Sequence, residues 1–403
     1  MKLILLAILL PAPLLNSAAA DSPSFLKVPS ITDDQITAVI ASGSGISGPG
    51  QVVVGNGWGG FADGRKANGL SRHDVVTNSG IAVTEHLIPP IHPILDVHMR
   101  DTSICPGGDG CYYMTGTTGD NAWMYNDGIE LYRSTNLKDW EYLGLVWSID
   151  KDGSEWEKTW RDRGGKAGGQ PIRSIWAPEI HYIHKNYYIC ISMPNAGTAI
   201  LKSSTGKPEG PYLHAAGADK PLINGIDPTL FEDDDGAVYF TRGRADTIVR
   251  MKDDLSDFAE TPRPVTLLHP DHDPSHHHPM CKARSDYNDL GFEGATLFKA
   301  NGLYYLGATD KVNGNYTMCL ATAKSVYGPY DGRHATVTGN GGTGFFKDFS
   351  GRWYTAYFGD DSNAPWRSKP GIIRVDFDKD KNVVLAKDQP DFILLKERVS
   401  KSN

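Results

Sequence analysis

The sequence lacks the features of several common functional classes. Beyond the first twenty of its 403 residues, no apolar run approaches the length that spans a bilayer. Basic residues are not in excess, because 40 Lys and Arg stand against 48 Asp and Glu and give a net charge of −8. This balance argues against nucleic acid or an anionic membrane as a partner. We expect a monomer that binds neither.

Cysteine is scarce, and none of the five cysteines has the spacing of a metal site. Cys105 and Cys111 flank a Gly-rich turn, so they can face each other across a hairpin, and in an exported protein this favours a disulfide. The histidines of segment 269–278 lie in a Pro-punctuated loop and match no recognised ligand spacing. The sequence therefore predicts no metal centre.

The start of the chain differs from the rest. Residues 1–20 combine a lysine, an apolar run and a small-residue end, which is the pattern of a secretory signal, so we expect a secreted or periplasmic protein. Residues 21–91 are rich in glycine, and we interpret them as an extension that packs on the main domain, with a short helix over residues 33–41. Glycines at 55, 57 and 60 match a dinucleotide-binding spacing, but no helix pattern follows them, so no phosphate site is predicted.

Hairpin signals recur five times along residues 92–403, each a short turn followed by an aromatic strand. The turns are Asp109-Gly110, Lys185-Asn186, Asp235-Gly236, Asn301-Gly302 and Ser350-Gly351. Their spacing suits sheets of about four strands. The sequence therefore predicts an all-β fold, a five-bladed β-propeller catalytic domain preceded by the Gly-rich extension.

The repeat also suggests which residues meet at the centre of the propeller. Counting back eleven residues from the first residue of each aromatic strand gives Asp101, Trp176, Asp227, Glu293 and Gly342. Equivalent positions of a radial repeat face one axis, so three carboxyl groups are expected at one place. Convergent carboxyl groups suit the hydrolysis of a glycosidic bond, in which one acts as an acid and another as a base. A third can raise the pKa of the acid by its charge.

Several motifs resemble glycoside hydrolase family 43 over roughly residues 92–378. They are Trp176-Ala177-Pro178-Glu179-Ile180, Ile226-Asp227-Pro228-Thr229-Leu230-Phe231 and Glu293-Gly294 with Phe298-Lys299-Ala300-Asn301-Gly302. The resemblance implies a five-bladed propeller that releases arabinofuranose or xylose from plant polysaccharides with inversion. It also implies that Asp101 is the general base, Asp227 the modulator of the pKa and Glu293 the general acid.

Four more residues are candidates for contact with the sugar: Trp176, Arg100, Phe292 and Arg242. Trp176 can stack on a sugar ring, and the two arginines can recognise hydroxyl groups. Two departures from the family pattern stand out. Thr102 follows the proposed base where the family usually has proline, and blade five has no histidine near Gly342. Many members tie that histidine to an axial metal, so we expect no axial calcium and no required cofactor.

Other functions of the same fold remain open at this stage. One is an exo-galactosidase-type activity, and another is a propeller that binds glycans without cleaving them. A sucrose-type transferase also uses axial acids, but the sequence around Asp101 fits family 43 better. The presence of all three carboxylates favours a hydrolase that acts on plant or algal polysaccharides or oligosaccharides, of the α-L-arabinofuranosidase or β-xylosidase type.

Overall fold

A computed structural model gives the fold of the described part of the chain, which comprises residues 34, 35, 37, 93–119, 121–164, 169–268, 290–312, 315–337, 341–342, 344–358 and 368–393. It contains five four-stranded antiparallel sheets, and the first strands of neighbouring sheets contact one another at four of the five junctions between sheets. The predicted five-bladed β-propeller is therefore confirmed. Asp34, Gln35 and Thr37 are helical, but the rest of the extension, the signal segment and the His-rich segment 269–278 lie outside the described residues.

Each blade takes its strands from one continuous stretch of chain. Blade one consists of β1 (Met99–Pro106), β2 (Tyr112–Thr118), β3 (Gly128–Ser134) and β4 (Glu141–Ser148). A two-stranded ribbon follows, made of β5 (Arg161–Asp162) and β6 (Pro171–Ile172). Blade two consists of β7 (Trp176–Ile183), β8 (Asn186–Met193), β9 (Gly197–Ser203) and β10 (Tyr212–His214).

The last three blades repeat the arrangement. Blade three consists of β11 (Thr229–Glu232), β12 (Val238–Thr241), β13 (Thr247–Arg250) and β14 (Arg263–Pro264). Blade four consists of β15 (Glu293–Ala300), β16 (Leu303–Val312), β17 (Asn315–Ala323) and β18 (Asp331–Ala335). Blade five consists of β19 (Phe345–Lys347), β20 (Trp353–Phe358), β21 (Pro370–Phe377) and β22 (Val383–Leu385).

The hydrophobic core is divided among the five junctions between blades. Each junction holds its own cluster of buried aliphatic and aromatic side chains, contributed by the facing sides of two neighbouring sheets. Because both faces of an inner strand are covered in this way, strands such as β8 read as nearly continuous apolar runs without alternation. Burial of these faces fixes the angular position of each blade and therefore the geometry at the axis.

The hairpins between the first two strands of each blade differ in length. Five residues separate the paired ends Pro106 and Tyr112 in blade one, whereas only two separate Ile183 and Asn186 in blade two. The predicted turn of blade two is therefore displaced by one residue. His184 and Lys185 both have positive φ, 49° and 61°, as a type I′ turn requires.

The insertion after blade one contains two short helices. They are α1 (Ile149–Asp152) and α2 (Glu155–Lys158). Ser154 and Glu157 form a capping box, in which the Ser154 amide donates to Glu157 Oε2 at 2.7 Å. The Ser-x-x-Glu spacing is a known start signal for a helix, so the sequence contained this information.

The predicted disulfide is wrong. Cys105 and Cys111 are both free thiols, and Cys105 is buried. In the hairpin register, Cys105 pairs with Tyr113, and the Cys111 carbonyl accepts the Gly107 amide at 2.7 Å inside the turn. Two residues that flank a turn face each other only when they form a cross-strand pair, and this five-residue loop puts Pro106 opposite Tyr112 instead. Burial raises the pKa of the Cys105 thiol to about 12.

No helix in the described part of the chain is long and apolar enough to cross a membrane.

Candidate active site

One pocket lies where the first strands of all five blades begin. Its empty volume, including open solvent, is about 650 Å³. All five residues predicted for the axis line this pocket: Asp101, Trp176, Asp227, Glu293 and Gly342. The structure thus brings the three predicted carboxyl groups together in one concave site, as a catalytic site of this kind requires.

The five positions are not fully equivalent, and this corrects the sequence register. Asp101, Asp227 and Gly342 have left-handed backbones, with φ of 51°, 52° and 67°. In blades two and four the left-handed residue is the one that follows, Ala177 at 44° and Gly294 at 68°. Trp176 and Glu293 therefore sit one position earlier in the repeat than the two aspartates. The two-residue hairpins of these blades caused the offset.

β-Bulges generate this backbone geometry. The register of β1 with β2 shifts between Arg100 and Ser103, and that of β15 with β16 shifts between Glu293 and Thr296. An aspartate in a left-handed conformation is uncommon and strained, and such residues cluster at functional sites. The bulges allow neighbouring side chains to leave the plane of the strand and to point toward the pocket.

Asp227 lies among the other acids. Its Oδ2 accepts the Gly294 amide at 2.8 Å. Burial raises the pKa of Asp227 well above its ordinary value, and the charges of Glu293 and Asp101 raise it further, against the opposing effect of the Gly294 amide. The cluster therefore keeps its last proton to a higher pH than three isolated carboxylic acids in water would.

Asp101 and Glu293 are each oriented by a hydroxyl group. Thr117 Oγ1 donates to Asp101 Oδ2 at 2.7 Å, and Tyr316 Oη donates to Glu293 Oε1 at 2.8 Å. Both hydroxyl-bearing residues line the pocket, and neither was predicted from the sequence. Their strands, β2 and β17, contain many hydroxyl residues, so no local signal distinguishes these two.

Aromatic rings and an arginine form a further part of the wall. The Arg100 guanidinium lies between two rings, with its carbon 4.5 Å from the centroid of Trp123 and 4.3 Å from that of Phe358. Trp123 meets Trp176 edge to face at 5.2 Å. Trp176 Nε1 is buried, and it has no hydrogen-bond partner within the part of the chain that the structure describes. This donor and the adjacent rings suit a sugar hydroxyl and an apolar sugar face.

The other two candidates for sugar contact, Arg242 and Phe292, do not line this pocket among its described residues. Arg242 packs against Gly225, where an added Cβ would lie 2.9 Å from the guanidinium. Phe292 contacts the ring of Tyr316, with 6.1 Å between centroids. Phe292 therefore lies beside a lining residue, and Arg242 lies beside Gly225, which precedes the lining residue Ile226. Contact of either side chain with a sugar stays a prediction.

Glu179 is a fourth carboxyl group of the pocket. It lines the pocket, and its Oε2 lies 3.3 Å from His181 Nε2. It also lines a larger cavity on the other side, which is bounded by the inner strands. Glu179 thus separates the two cavities.

Among the described residues at the axis, none is the histidine of the His-linked metal that is common in this kind of propeller. Blade five contributes only Gly342 and Gly344 to the described lining of the pocket, so it supplies neither imidazole nor carboxylate. Each of the three axial acids already accepts a hydrogen bond from the protein, from Thr117, the Gly294 amide or Tyr316. Within the described residues, no group of three or more His, Cys, Asp or Glu side chains could hold a metal ion.

Comparisons with known proteins agree with this architecture. The chain is 26% identical over 273 residues to a putative beta-xylosidase of Xylanibacter ruminicola, covering 62% of this chain and 46% of that protein. It is 27% identical over 213 residues to the beta-D-galactofuranosidase xynD of Aspergillus niger, covering 47% of this chain and 54% of the relative. The chain thus spans about half the length of the curated relatives it matches.

A solved structure and a family model extend the comparison. The structure of an endo-1,4-beta-xylanase from Bacteroides thetaiotaomicron superposes with a TM-score of 0.53 at 22% identity, covering 76% of this chain and all of that one, which supports the fold. The model of glycosyl hydrolases family 43 matches residues 91–383. This range includes the five blades up to the start of β22 and every residue of the axial pocket. The chain belongs to glycosyl hydrolases family 43.

Proposed function

We propose that this chain is an exported glycoside hydrolase that cleaves O-glycosidic bonds in plant or algal saccharides with inversion of configuration. The observation that carries the proposal is the convergence of Asp101, Asp227 and Glu293 in one pocket with the aromatic residues Trp123 and Trp176. Hydrolysis by this arrangement needs no cofactor, because both the acid and the base are side chains. Export rests on the signal-like residues 1–20.

In the proposed reaction, Asp101 takes a proton from a water molecule that attacks the anomeric carbon. Glu293 donates a proton to the departing oxygen at the same time. Its partner Tyr316 donates a hydrogen bond to Oε1, which orients the carboxyl group. Asp227 stays unreactive toward the sugar. It shares a proton with Glu293, because the charge of each acid disfavours ionisation of the other, and Glu293 delivers this proton to the departing oxygen.

The pocket supports a small terminal sugar as the group that is cleaved off. Arg100 and the rings of Trp123 and Trp176 would bind this sugar, with the Trp176 Nε1 hydrogen bonded to one of its hydroxyl groups. Pentose substrates are favoured by the relatives named as xylosidases, and the type proposed is α-L-arabinofuranosidase or β-xylosidase. Release of a galactose unit is the second candidate, because one relative is named a beta-D-galactofuranosidase.

A panel of 4-nitrophenyl glycosides tests the proposal. It contains β-D-xyloside, α-L-arabinofuranoside, β-D-galactofuranoside and β-D-galactopyranoside, each incubated with the wild type and with Asp101→Asn as the matched inactive control. We expect the wild type to hydrolyse one of the two pentosides fastest, and we expect the variant not to hydrolyse it. Equal hydrolysis by both proteins would contradict the proposed site, and binding of xylan oligosaccharides without any turnover would favour a glycan-binding propeller.

A further inference from the structure

Three blades carry a buried hydroxyl at the same place in the repeat. Thr117, Ser192 and Thr309 lie on the second strands of blades one, two and four. They pair across the hairpin with Arg100, Trp176 and Glu293, the residues at which the β-bulges begin. Their exposed fractions are only 3%, 0% and 0%, so every hydrogen bond that they make is shielded from water.

Each of these hydroxyl groups accepts the backbone amide of a left-handed residue of the next blade. Thr117 Oγ1 accepts the Ala177 amide at 2.8 Å, and Thr309 Oγ1 accepts the Gly342 amide at 2.6 Å. The Ser192 hydroxyl accepts the Asp227 amide at 3.4 Å. All three donors belong to the left-handed residues described above. A buried amide in a strained conformation needs such an acceptor, and here the neighbouring blade supplies it.

At the junction of blades three and four, the acceptor is a carboxylate. Gly243 occupies the place of the hydroxyl residue in blade three, and its amide is bonded to the carbonyl of Ile226 at 2.9 Å. The Gly294 amide of blade four is accepted by Asp227 Oδ2 instead. The inter-blade contact is thus kept at this junction, and an axial acid replaces the hydroxyl.

Thr117 makes a second contact besides the one to the amide of the next blade. Its hydroxyl also donates a hydrogen bond to Asp101 Oδ2. A threonine hydroxyl has a single proton, and the Ala177 amide at 2.8 Å occupies one of its lone pairs. The proton is therefore directed to Asp101. A hydrogen bond to a carboxylate is stronger than one between neutral groups, and it favours the ionised form that a general base requires.

We propose that Thr117 is a positioning residue for the base. It joins the bulge of blade two to the carboxylate of Asp101, and it keeps that carboxylate oriented and ionised. The inference rests on the proposed function for the role of Asp101, whereas the hydrogen-bond chain from Ala177 through Thr117 to Asp101 does not depend on it. The backbone contact of Thr309 to Gly342 provides an internal comparison.

The pH dependence of Asp101 has to be interpreted with its neighbours in mind. The ionisable groups that share the pocket with it are Arg100, Glu179, Asp227, Glu293 and Tyr316. None of these groups is altered by the substitution of Thr117, so a change in titration that follows this substitution reports the lost hydroxyl.

The test compares Thr117→Val, which is nearly isosteric but lacks the hydroxyl, with Thr117→Ser, which keeps it. We expect Thr117→Val to lower kcat by about 10–100-fold, with KM changed less than about threefold. The acidic limb of the kcat/KM profile should move about one pH unit higher, as the loss of a hydrogen bond to a charged group implies. Thr117→Ser should restore both values. Thr309→Val removes an equally buried hydroxyl, and its acidic limb should stay in place.

Two further measurements keep the outcome decisive. If Thr117→Val does not fold, Thr117→Cys supplies a weaker donor, and its acidic limb should lie at higher pH than those of the wild type and of Thr117→Ser. Carbon-13 titration of the aspartate carboxyl groups, with Asp101 assigned from the signal lost in Asp101→Asn, does not need turnover. An inactive wild type whose Asp101 titration still depends on Thr117 would refute the proposed function alone. An unchanged titration and pH profile in both Thr117 variants, or equal shifts in Thr309→Val, would refute the positioning role.

Discussion

The carboxylate of Asp227 accepts the backbone amide of Gly294, the residue next to Glu293, at 2.8 Å. This bond joins blades three and four directly at the pocket. It also holds Asp227 close to the backbone that carries Glu293, and the charge of Glu293 contributes to the raised pKa of Asp227. The two acids therefore exchange protons with solvent as a pair, which leads to distinct expectations for each of the three carboxyl groups.

Replacement of the proposed acid should depend on the leaving group. Glu293→Gln cannot donate a proton, so hydrolysis of an unactivated disaccharide should fall by about 10²–10⁴-fold. Hydrolysis of a dinitrophenyl glycoside should fall much less, because this leaving group needs no protonation. Steady-state kinetics with both substrates measure the contrast. Equal losses on both substrates would exclude Glu293 as the acid.

Replacement of the proposed base should not depend on the leaving group. Asp101→Asn removes water activation, which both classes of substrate need, so kcat should fall by at least about 10²-fold for each of them. Asp101→Gly also removes the volume of the carboxylate, so added azide or formate can occupy the space left and act in place of the activated water, and we expect partial rescue of that variant. Retention of wild-type activity on either substrate would contradict the assignment.

Asp227→Asn should increase stability while it impairs catalysis. The pKa of Asp227 is higher in the folded protein than in the unfolded protein, so the neutral carboxyl group favours the folded state. This contribution to stability is complete below the pKa of about 3.9 in the unfolded protein, and it is lost as the pH rises through the pKa in the folded protein. The Tm of the variant should therefore exceed that of the wild type increasingly from about pH 4 upward. Loss of this charge should also move the alkaline limb of kcat/KM to lower pH.

The comparison of Tm at several pH values, by differential scanning calorimetry, checks the first part of this expectation. The acid-side Tm provides the control, because the carboxyl group and the amide are then both neutral and should be nearly equivalent. A difference in Tm that does not change with pH would mean that the burial of Asp227 does not affect its ionisation.

The cysteines provide an independent test of the hairpin register. In the unfolded protein without reductant, Cys105 and Cys111 should both react as free thiols. In the native protein Cys105 should react very slowly, because it is buried and its pKa is raised to about 12. Thiol titration with mass-spectrometric assignment distinguishes the two sites. A Cys105–Cys111 bridge in the purified protein would show that the hairpin differs from the structure.

The sequence was informative where a pattern repeats. Five turn-plus-aromatic signals were sufficient to predict five blades, and their spacing led to Asp101, Asp227 and Glu293. The one-residue offset at Glu293 was not predictable from that count, because it depends on whether a hairpin has two or five residues in its loop. Register of this kind is set by backbone pairing, which a list of residue types does not determine.

The residues that support the acids were missed for a different reason. Thr117 and Tyr316 act across blades or strands, and each lies in a β-strand rich in similar side chains. Their importance comes from three-dimensional contacts to Asp101 and Glu293 over 16 and 23 residues of sequence. The capping box of Ser154 and Glu157, by contrast, is a local signal, because its Ser-x-x-Glu spacing can be read from the sequence alone.

The stereochemistry of hydrolysis tests the central claim most directly. Inverting enzymes place acid and base about 6.5–9.5 Å apart so that a water molecule fits between the base and the sugar, whereas retaining enzymes place them about 5 Å apart. Proton NMR during the first minutes of hydrolysis of the best aryl glycoside identifies the anomer released first. We expect the anomer of inverted configuration, with its equilibrium partner growing in only by mutarotation. Initial release of the retained anomer would contradict the roles assigned to Asp101 and Glu293.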